Sequence, residues 1–256
     1  MSAFERRFDI AEQLKKANAV SVEKLAKQFF VCESTIRRDL DRLVRDGMAK
    51  RTYGGAVLLE NSTNDLPMLI RERENIKTKN DIARRAAEFI RDGDTIFMDT
   101  SSTVMALVPF LNKFTGLTVV TNGLKIAYLL NAYSEITTHC TGGRLRQHNM
   151  ALVGRPTCRR IEEINADIAF ISCRGINTDR GVTEASEEEA EVKRAMLSSS
   201  QRTFLLCDSS KFGHIFTYRT CSLSVLDTLI SDVCPPDELN RVLKERGANV
   251  VIAPAF

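Results

Sequence analysis

The chain contains no apolar run near the ~18 residues that a membrane span requires, which excludes a transmembrane helix. Its first residues are charged, so they do not read as a secretory signal peptide. Histidine occurs only three times, and the seven cysteines (32, 140, 158, 173, 207, 221 and 234) lie far apart with no Cys-x-x-Cys among them. Such spacing supplies no ligand pairs, so neither a metal centre nor a cofactor is expected. The odd, scattered set reads as reduced, mostly buried thiols of a cytoplasmic protein. His139 and His148 have no Ser or Cys placed by spacing to pair with them, and ordinary core or surface roles are expected. The hydrophobic fraction of 43% and charged fraction of 27% are those of an ordinary globular protein.

At 256 residues the chain suits two domains. We read residues 1–58 as the smaller one, 59–67 as a linker and 68–256 as the larger. The segment Glu60-Asn-Ser-Thr-Asn-Asp-Leu-Pro67 is polar and ends in proline, which marks a linker.

Residues 33–46 carry the densest information. At 3.6 residues per turn, Ile36, Leu40, Leu43 and Val44 form a narrow apolar stripe, and Ser34, Thr35, Arg37, Arg38, Asp41, Arg42 and Arg45 share the opposite face. Guanidiniums read guanine edges in the major groove, and hydroxyls and guanidiniums hold phosphates. Alone, the stripe fits an ordinary charged surface helix equally well. Its neighbours decide between the two. Val22, Leu25, Ala26 and Phe29 predict a helix beginning after Ser21, a suitable N-cap, and Phe4, Phe8, Ala11 and Leu14 predict another over about 4–17. The link Phe30-Val31-Cys32 is as short as a helix-turn-helix requires. Beyond Gly47, Gly54-Gly55 separates two short apolar runs and predicts a hairpin. Three helices and a basic hairpin describe a winged helix that binds double-stranded DNA. Ser34, Thr35, Arg37, Arg38 and Arg42 would sit at the groove; Lys50, Arg51 and Tyr53 would hold phosphate or the minor groove from the wing.

Charge agrees with this division. Residues 1–60 hold 12 Lys and Arg against 9 Asp and Glu, and the remainder holds 24 of each. So small an excess gives weak nonspecific affinity per chain, and two or more chains are expected to bind together as a homo-oligomer.

From residue 68 helices and strands alternate, with strands at 95–98, 117–121, 135–140, 168–172, 203–207, 228–230 and 250–252. Helices are expected near 82–90, 124–130, 152–164, 187–199 and 236–246, with another between Thr103 and about Leu111. The fold class is therefore α/β: an N-terminal winged helix-turn-helix plus a larger, doubly wound, mostly parallel domain, with ligands beyond the carboxyl ends of the strands. The candidate site is drawn from those ends. Asp99, Ser101, Ser102 and Thr103 lead from a strand into a helix, where amides and hydroxyls suit an anion. Asn122, Gly143, Arg144, Arg174, Asp208 and Lys211 stand at comparable places. Arg144, Arg174 and Lys211 offer charge for a phosphate; Asp99, Asn122 and Asp208 offer acceptors for sugar hydroxyls. Each loop alone is better read as turn or cap chemistry, and only their joint recurrence at strand ends brings the two readings level. The carboxylates Glu184 and Glu187–Glu189 precede or open a helix and most simply favour its N-terminus.

Thr35-Ile36-Arg37-Arg38-Asp39-Leu40, followed by Gly47, Arg51 and Gly54-Gly55-Ala56, resembles the DNA-binding signature of the DeoR family of bacterial transcriptional regulators. The resemblance continues through Lys79 with Ile82-Ala83, Gly93-Asp94-Thr95, Asp99 with Ser102-Thr103, Thr121-Asn122, Gly142-Gly143, Val153-Gly154, Gly175-Ile176, Gly181-Val182-Thr183 and Asp208–Phe212. It implies an oligomeric repressor with a sugar-phosphate sensor related in fold to ribose-phosphate isomerases. Three positions depart from the pattern. Cys32 replaces a capping serine, at a cost of about 0.5–2 kcal/mol, unless Ser34 starts the helix later. Ser101 replaces a glycine, which restricts the loop to negative φ. Arg174 stands where an isomerase would need an acid, and arginine cannot serve as a base. The resemblance thus favours a sensor that binds without turnover, over a fused isomerase or an architectural DNA-binding protein with a ligand-dead second domain.

Overall fold

The structure, a computed structural model, describes residues 3–45, 48–58, 68–146 and 149–254. Gly47, His148, the 59–67 linker and the side chain of Phe4 lie outside the described residues. The chain divides into two units, Met1–Ile70 and Arg71–Phe256.

In the first unit, α1 (Ala3–Ala17), β1 (Ala19–Ser21), α2 (Val22–Phe29), α3 (Glu33–Arg45), β2 (Ala49–Thr52) and β3 (Gly55–Leu58) follow one another. Ile10, Ala11, Leu14, Val22, Leu25, Ile36, Leu40 and Leu43 bury the inner stripes of the three helices against Met48, Ala49 and Ala56 of the wing. A buried ion pair, Arg6 Nε to Asp39 Oδ2 at 2.6 Å, ties α1 to the inner side of α3.

Strand β1 is an addition to the sequence reading. It pairs antiparallel with β3, so the wing is a three-stranded sheet in the order β1-β3-β2. Three residues are too few to show a period, which is why it was not legible. Ser21 occupies the N-cap position of α2 with extended backbone, yet its side chain makes no capping bond. The hairpin is placed as expected, but its turn is Tyr53-Gly54, and neither residue has positive φ. Gly55 belongs to β3. A Cβ there would stand 1.8 Å from the Val20 carbonyl oxygen, so the second glycine is needed for the approach of β1 rather than for the turn.

At the division between the units stands the short helix α4 (Met68–Arg71), and α5 (Ile76–Ala87) opens the main body of the second. There follow β4 (Thr95–Met98), α6 (Ser102–Met105), β5 (Thr118–Thr121), α7 (Leu124–Leu130), β6 (Thr137–Cys140), β7 (Arg144–Arg146), β8 (Ala151–Val153), α8 (Arg155–Glu162) and β9 (Ala166–Ile171). The chain continues with β10 (Gly175–Asn177), β11 (Gly181–Glu184), α9 (Glu187–Ser198), β12 (Ser200–Leu206), β13 (Tyr218–Cys221), β14 (Thr228–Ser231), α10 (Asp237–Glu245) and β15 (Asn249–Ile252).

Seven strands form one parallel sheet in the order β15-β14-β12-β9-β4-β5-β6. Successive side chains point to opposite faces. Phe97, Ala169, Ile171 and Leu205 therefore face α8, α9 and α10, through Ile161, Val192, Met196, Leu239 and Leu243. Ile96, Met98, Ile168, Phe170 and Phe204 face α5 and α7, through Ile82, Ala83, Ala86, Ile126 and Leu130. Covering both faces explains why the strands read as continuous apolar runs. Strand order runs outward from β4 to β6, then restarts at β9 on the other side of β4. That reversal is a topological switch point, where the loops part and leave a crevice.

Two smaller sheets were not read from the sequence: the hairpin β7-β8 and the antiparallel sheet β10-β11-β13. Helix α8 accordingly begins at Arg155, and residues 152 and 153, expected as helix, belong to strand β8. The cysteine expectation also needs correction. Cys173, Cys207 and Cys221 are buried, Cys158 is half-buried, and Cys32, Cys140 and Cys234 are exposed; all seven are free thiols.

Candidate functional site

Helix α3 turns Ser34, Arg37, Arg38 and Arg42 to solvent, with Thr35 half-buried beside them. Arg37 pairs with Glu33 at 2.9 Å, one turn away on an exposed face, where such a pair contributes little and yields readily to a phosphate. Arg38 makes no bond to the described residues. Lys50 and Tyr53 are exposed on the wing. Arg51 differs from expectation: its Nε meets Asp41 Oδ1 at 3.2 Å and its Nη1 donates to the Gly55 carbonyl at 3.0 Å. The guanidinium thereby fastens the wing to α3, which sets the wing's angle rather than freeing a charge for phosphate.

Cys32 is the residue before α3, and its carbonyl accepts from Thr35 N–H at 3.0 Å. The helix begins at Glu33, so Ser34 does not take over the cap. The thiol lies 3.1 Å from both the Ser34 and the Thr35 hydroxyls. Hydrogen bonds from Ser34 and then Thr35 lower its pKa to about 7.

In the second unit, the ends of β4 and β9 meet at the switch point. Asp99, 1% exposed, accepts from the Ser101 N–H at 2.9 Å and the Ser101 hydroxyl at 2.5 Å on Oδ1. Its Oδ2 accepts from Ser172 N–H at 3.0 Å and faces the Lys193 ammonium at 3.1 Å. Four donors fill the carboxylate, so Asp99 shapes the loop and does not offer itself to a sugar hydroxyl as expected. Ser101 is likewise used internally. Its hydroxyl caps α6 by accepting Val104 N–H at 3.2 Å, and its φ of −69° shows why serine serves where glycine was anticipated. In the first turn of α6 the amides of Ser102 and Thr103 have no intrahelical acceptor, and both hydroxyls are without a bond among the described residues.

The other predicted positions separate in the same way. Asn122 donates from Nδ2 to the Leu152 carbonyl at 2.9 Å, holding β8, while its Oδ1 is buried with no partner among the described residues. Gly143 has φ +119°, and a Cβ there would stand 2.1 Å from Thr157 Oγ1, so its role is steric. Arg144 meets both oxygens of Glu188 at 2.5 Å, a pair that is exposed on the arginine side as that of Arg37 is. The Arg174 guanidinium is largely buried; burial lowers its pKa, opposed by Glu184 and Glu189, so its charge answers carboxylates of its own chain. Lys211, half-buried on a 3-10 turn, forms no ion pair with the described residues. Asp208 accepts at Oδ1 from Ser210 and from Asn75 Nδ2, and keeps Oδ2 buried without a partner among the described residues.

Sequence reasoning missed the buried charges that organise these loops. The Lys193 ammonium donates to the Ser172 carbonyl at 2.7 Å and to Glu184 as well as facing Asp99. Burial alone would lower its pKa, but Glu184, Asp99 and Glu189 outweigh it and raise it. Glu189 accepts from Arg146 at 2.7 Å and Asn149 at 2.8 Å. Glu188 and Glu189 do lie in the first turn of α9, but they also pin the hairpin strand β7, and Glu184 ends β11 instead of opening the helix. The signal was available: Lys193 lies on the buried side of α9 with Ala190, Met196 and Leu197, a charge on an apolar stripe. Among the described residues no group of three or more His, Cys, Asp or Glu side chains is placed to hold a metal ion, and no helix is long and apolar enough to cross a membrane.

The family model for the DeoR-like helix-turn-helix domain matches residues 6–62, and that for the DeoR C terminal sensor domain matches residues 74–233. The chain belongs to the DeoR family. This DeoR-family chain is 36% identical to the HTH-type transcriptional regulator GolR of Listeria innocua, over 99% of its own length and 100% of that protein's. It is 32% identical to the glycerol-3-phosphate regulon repressor of Escherichia coli K12, over 96% of its length and 97% of the relative's. A solved structure, ribose 5-phosphate isomerase A of Methanocaldococcus jannaschii, shares 17% identity over 54% of this chain and 55% of that one, with a TM-score of 0.41. A likeness that shallow carries no argument about activity. As a DeoR-family member the chain is a DNA-binding transcriptional regulator with a C-terminal sensor domain.

Proposed function

We propose that the chain is a homo-oligomeric repressor of a sugar-catabolic operon, released from operator DNA when a phosphorylated sugar binds the second unit. Ser34, Arg37, Arg38 and Arg42 read or hold the groove, and Lys50 and Tyr53 hold it from the wing. The phosphate takes the free amides and hydroxyls of Ser102 and Thr103 together with Lys211. Asn122 Oδ1 and Asp208 Oδ2 accept sugar hydroxyls. One observation carries the ligand half of this reading: at the start of α6 the Ser102 and Thr103 hydroxyls meet no partner among the described residues, while Lys193 neutralises the adjacent Asp99. An anion there meets dipoles without meeting an uncompensated carboxylate.

The protein is read as a sensor rather than an isomerase, because Asp99, Glu184 and Glu189 are each bound to cations or amides and Arg174 replaces the acid. The test is binding of the full chain to its own upstream DNA with a panel of phosphorylated sugars. One phosphosugar should release the DNA unchanged in chemistry, and a Thr103→Ala, Lys211→Ala double variant should bind the DNA but ignore that sugar. A double variant that responds normally places the ligand elsewhere; consumption of the sugar makes the chain an enzyme.

A further inference from the structure

The end of β12 and the first turn of α5 share a cluster of charges that no part of the above uses in full. Asn75 precedes α5 with left-handed backbone (φ 52°, ψ 37°), and its side chain makes no capping bond to the helix. Its Nδ2 donates instead to Asp208 Oδ1 at 3.4 Å, which ties the start of α5 to the Asp208 loop. One turn on, Lys79 N–H donates to the Asn75 carbonyl at 2.9 Å.

The Lys79 side chain points inward, and the residue is 5% exposed. An ammonium has three donors, and among the described residues only the Arg71 carbonyl accepts one of them. The charges around it are mixed: Asp208 and Glu74 attract, Lys211 and Arg71 repel. Asp208, 2% exposed, is incomplete in the complementary sense, since its Oδ2 is buried without a donor among the described residues. Buried donors and acceptors are met in nearly all native interiors, so a cluster that leaves both kinds open is built to be completed by something else. What completes two lysines is a small dianion; what completes Asp208 is a hydroxyl. A phosphate monoester of a polyol carries both.

We propose that Lys79 and Lys211 form one phosphate-monoester subsite, with Asp208 Oδ2 accepting a hydroxyl of the same ligand, and that Lys79 takes up a proton when the dianion binds. The proposal rests on the sugar-phosphate reading above and adds a residue and a proton to it. Burial, the strongest influence on Lys79, pulls its pKa down to about 8. Above that pH the free site holds Lys79 largely neutral, and an arriving dianion restores the ammonium with a proton drawn from the buffer acid. Below about pH 7 Lys79 is already charged and no proton moves.

Calorimetric titration of the full chain with inorganic phosphate, at about pH 8.5 in two buffers of different ionisation enthalpy, reads both quantities at once. The wild type should bind with uptake of roughly half a proton or more per chain. Lys79→Met should bind at least roughly tenfold more weakly, with no uptake. Lys79→Arg, always charged, should recover binding without uptake; this separates a ligand cation from a merely structural lysine. Binding by Lys79→Met at wild-type strength, or undiminished uptake by Lys79→Arg, overturns the assignment of Lys79 alone. A wild type that ignores phosphate yet releases DNA with an unphosphorylated sugar overturns the phosphosugar reading, and Lys79 with it.

Discussion

The two units solve opposite problems. In Met1–Ile70 the candidate side chains stand outside the core, on one face of α3 and on the wing, and several meet little or nothing of their own chain. In Arg71–Phe256 the candidate side chains come from separate strand ends, and most are buried against one another. DNA is a large, wet polyanion that meets a preformed exposed face, and affinity comes from many replaceable contacts. A small anion has few atoms to bind, so its site is dried and oriented beforehand, at the cost of burying charge. The same types of residue, Lys, Arg, Asp and Ser, are thus expendable for folding on the exposed face of α3 and part of the framework at the strand ends.

That contrast is sharpest at Lys193 and Arg38. Lys193→Met leaves Asp99 and Glu184 buried without their shared ammonium, and removing one partner of such a cluster costs about 3–5 kcal/mol. Urea unfolding should show that loss confined to the second unit's transition. A wild-type midpoint would mean that the buried cluster does not hold the strand ends. The acid limit follows from Glu189, whose pKa burial would raise but which Arg71, Arg146 and Lys193 together lower. Its folded pKa lies below the unfolded one, so its contribution is present at neutral pH and is lost as pH falls through the lowered value. Arg38→Ala should weaken operator binding by about 1–3 kcal/mol and leave the melting temperature unchanged. A shift in melting with intact binding would reverse the comparison between the units.

Two smaller effects test the loops themselves. Ser101→Ala removes the cap of α6 and one donor to Asp99, and should lower stability by about 0.5–2 kcal/mol while weakening the response to phosphosugar. A response unchanged at equal stability would separate the cap from the ligand. Cys32, with a pKa of about 7, should be alkylated by iodoacetamide at neutral pH faster than the exposed Cys140 and Cys234. The rate should fall several-fold at pH 6 as the thiolate is protonated, and operator DNA should slow it. Equal rates at the three exposed cysteines would show that the Ser34 and Thr35 hydroxyls do not activate the thiol.

Legibility in the sequence followed the same division. Helix α3 was readable because everything that defines it lies within residues 30–45: an apolar stripe, a polar face and a short preceding turn. The parallel strands were readable because burial on both faces makes them unbroken apolar runs. The hairpin β7-β8 and the sheet β10-β11-β13 were not, since strands of three or four residues show no period and β13 pairs with β11 across the whole of α9 and β12. Positions of the site were visible as strand ends, but not their state. Nothing local says that Asp99 is filled by Ser172 and Lys193, or Arg144 by Glu188, because those partners lie 44 to 94 residues away. What the sequence did hold was Lys79 and Lys193, each a cation on an apolar helical stripe. Such a charge in a predicted core position is the pattern to search for when a buried ionic site is suspected.

The central claim is that ligand in the second unit lowers the DNA affinity of the first. Thermodynamic linkage makes that claim reciprocal, so the most direct measurement is the affinity for the releasing phosphosugar with and without saturating operator DNA. The account predicts that DNA weakens sugar binding by the same factor by which the sugar weakens DNA binding, and that both factors vanish together in the Thr103→Ala, Lys211→Ala variant. Equal sugar affinity in the presence and absence of DNA would contradict it.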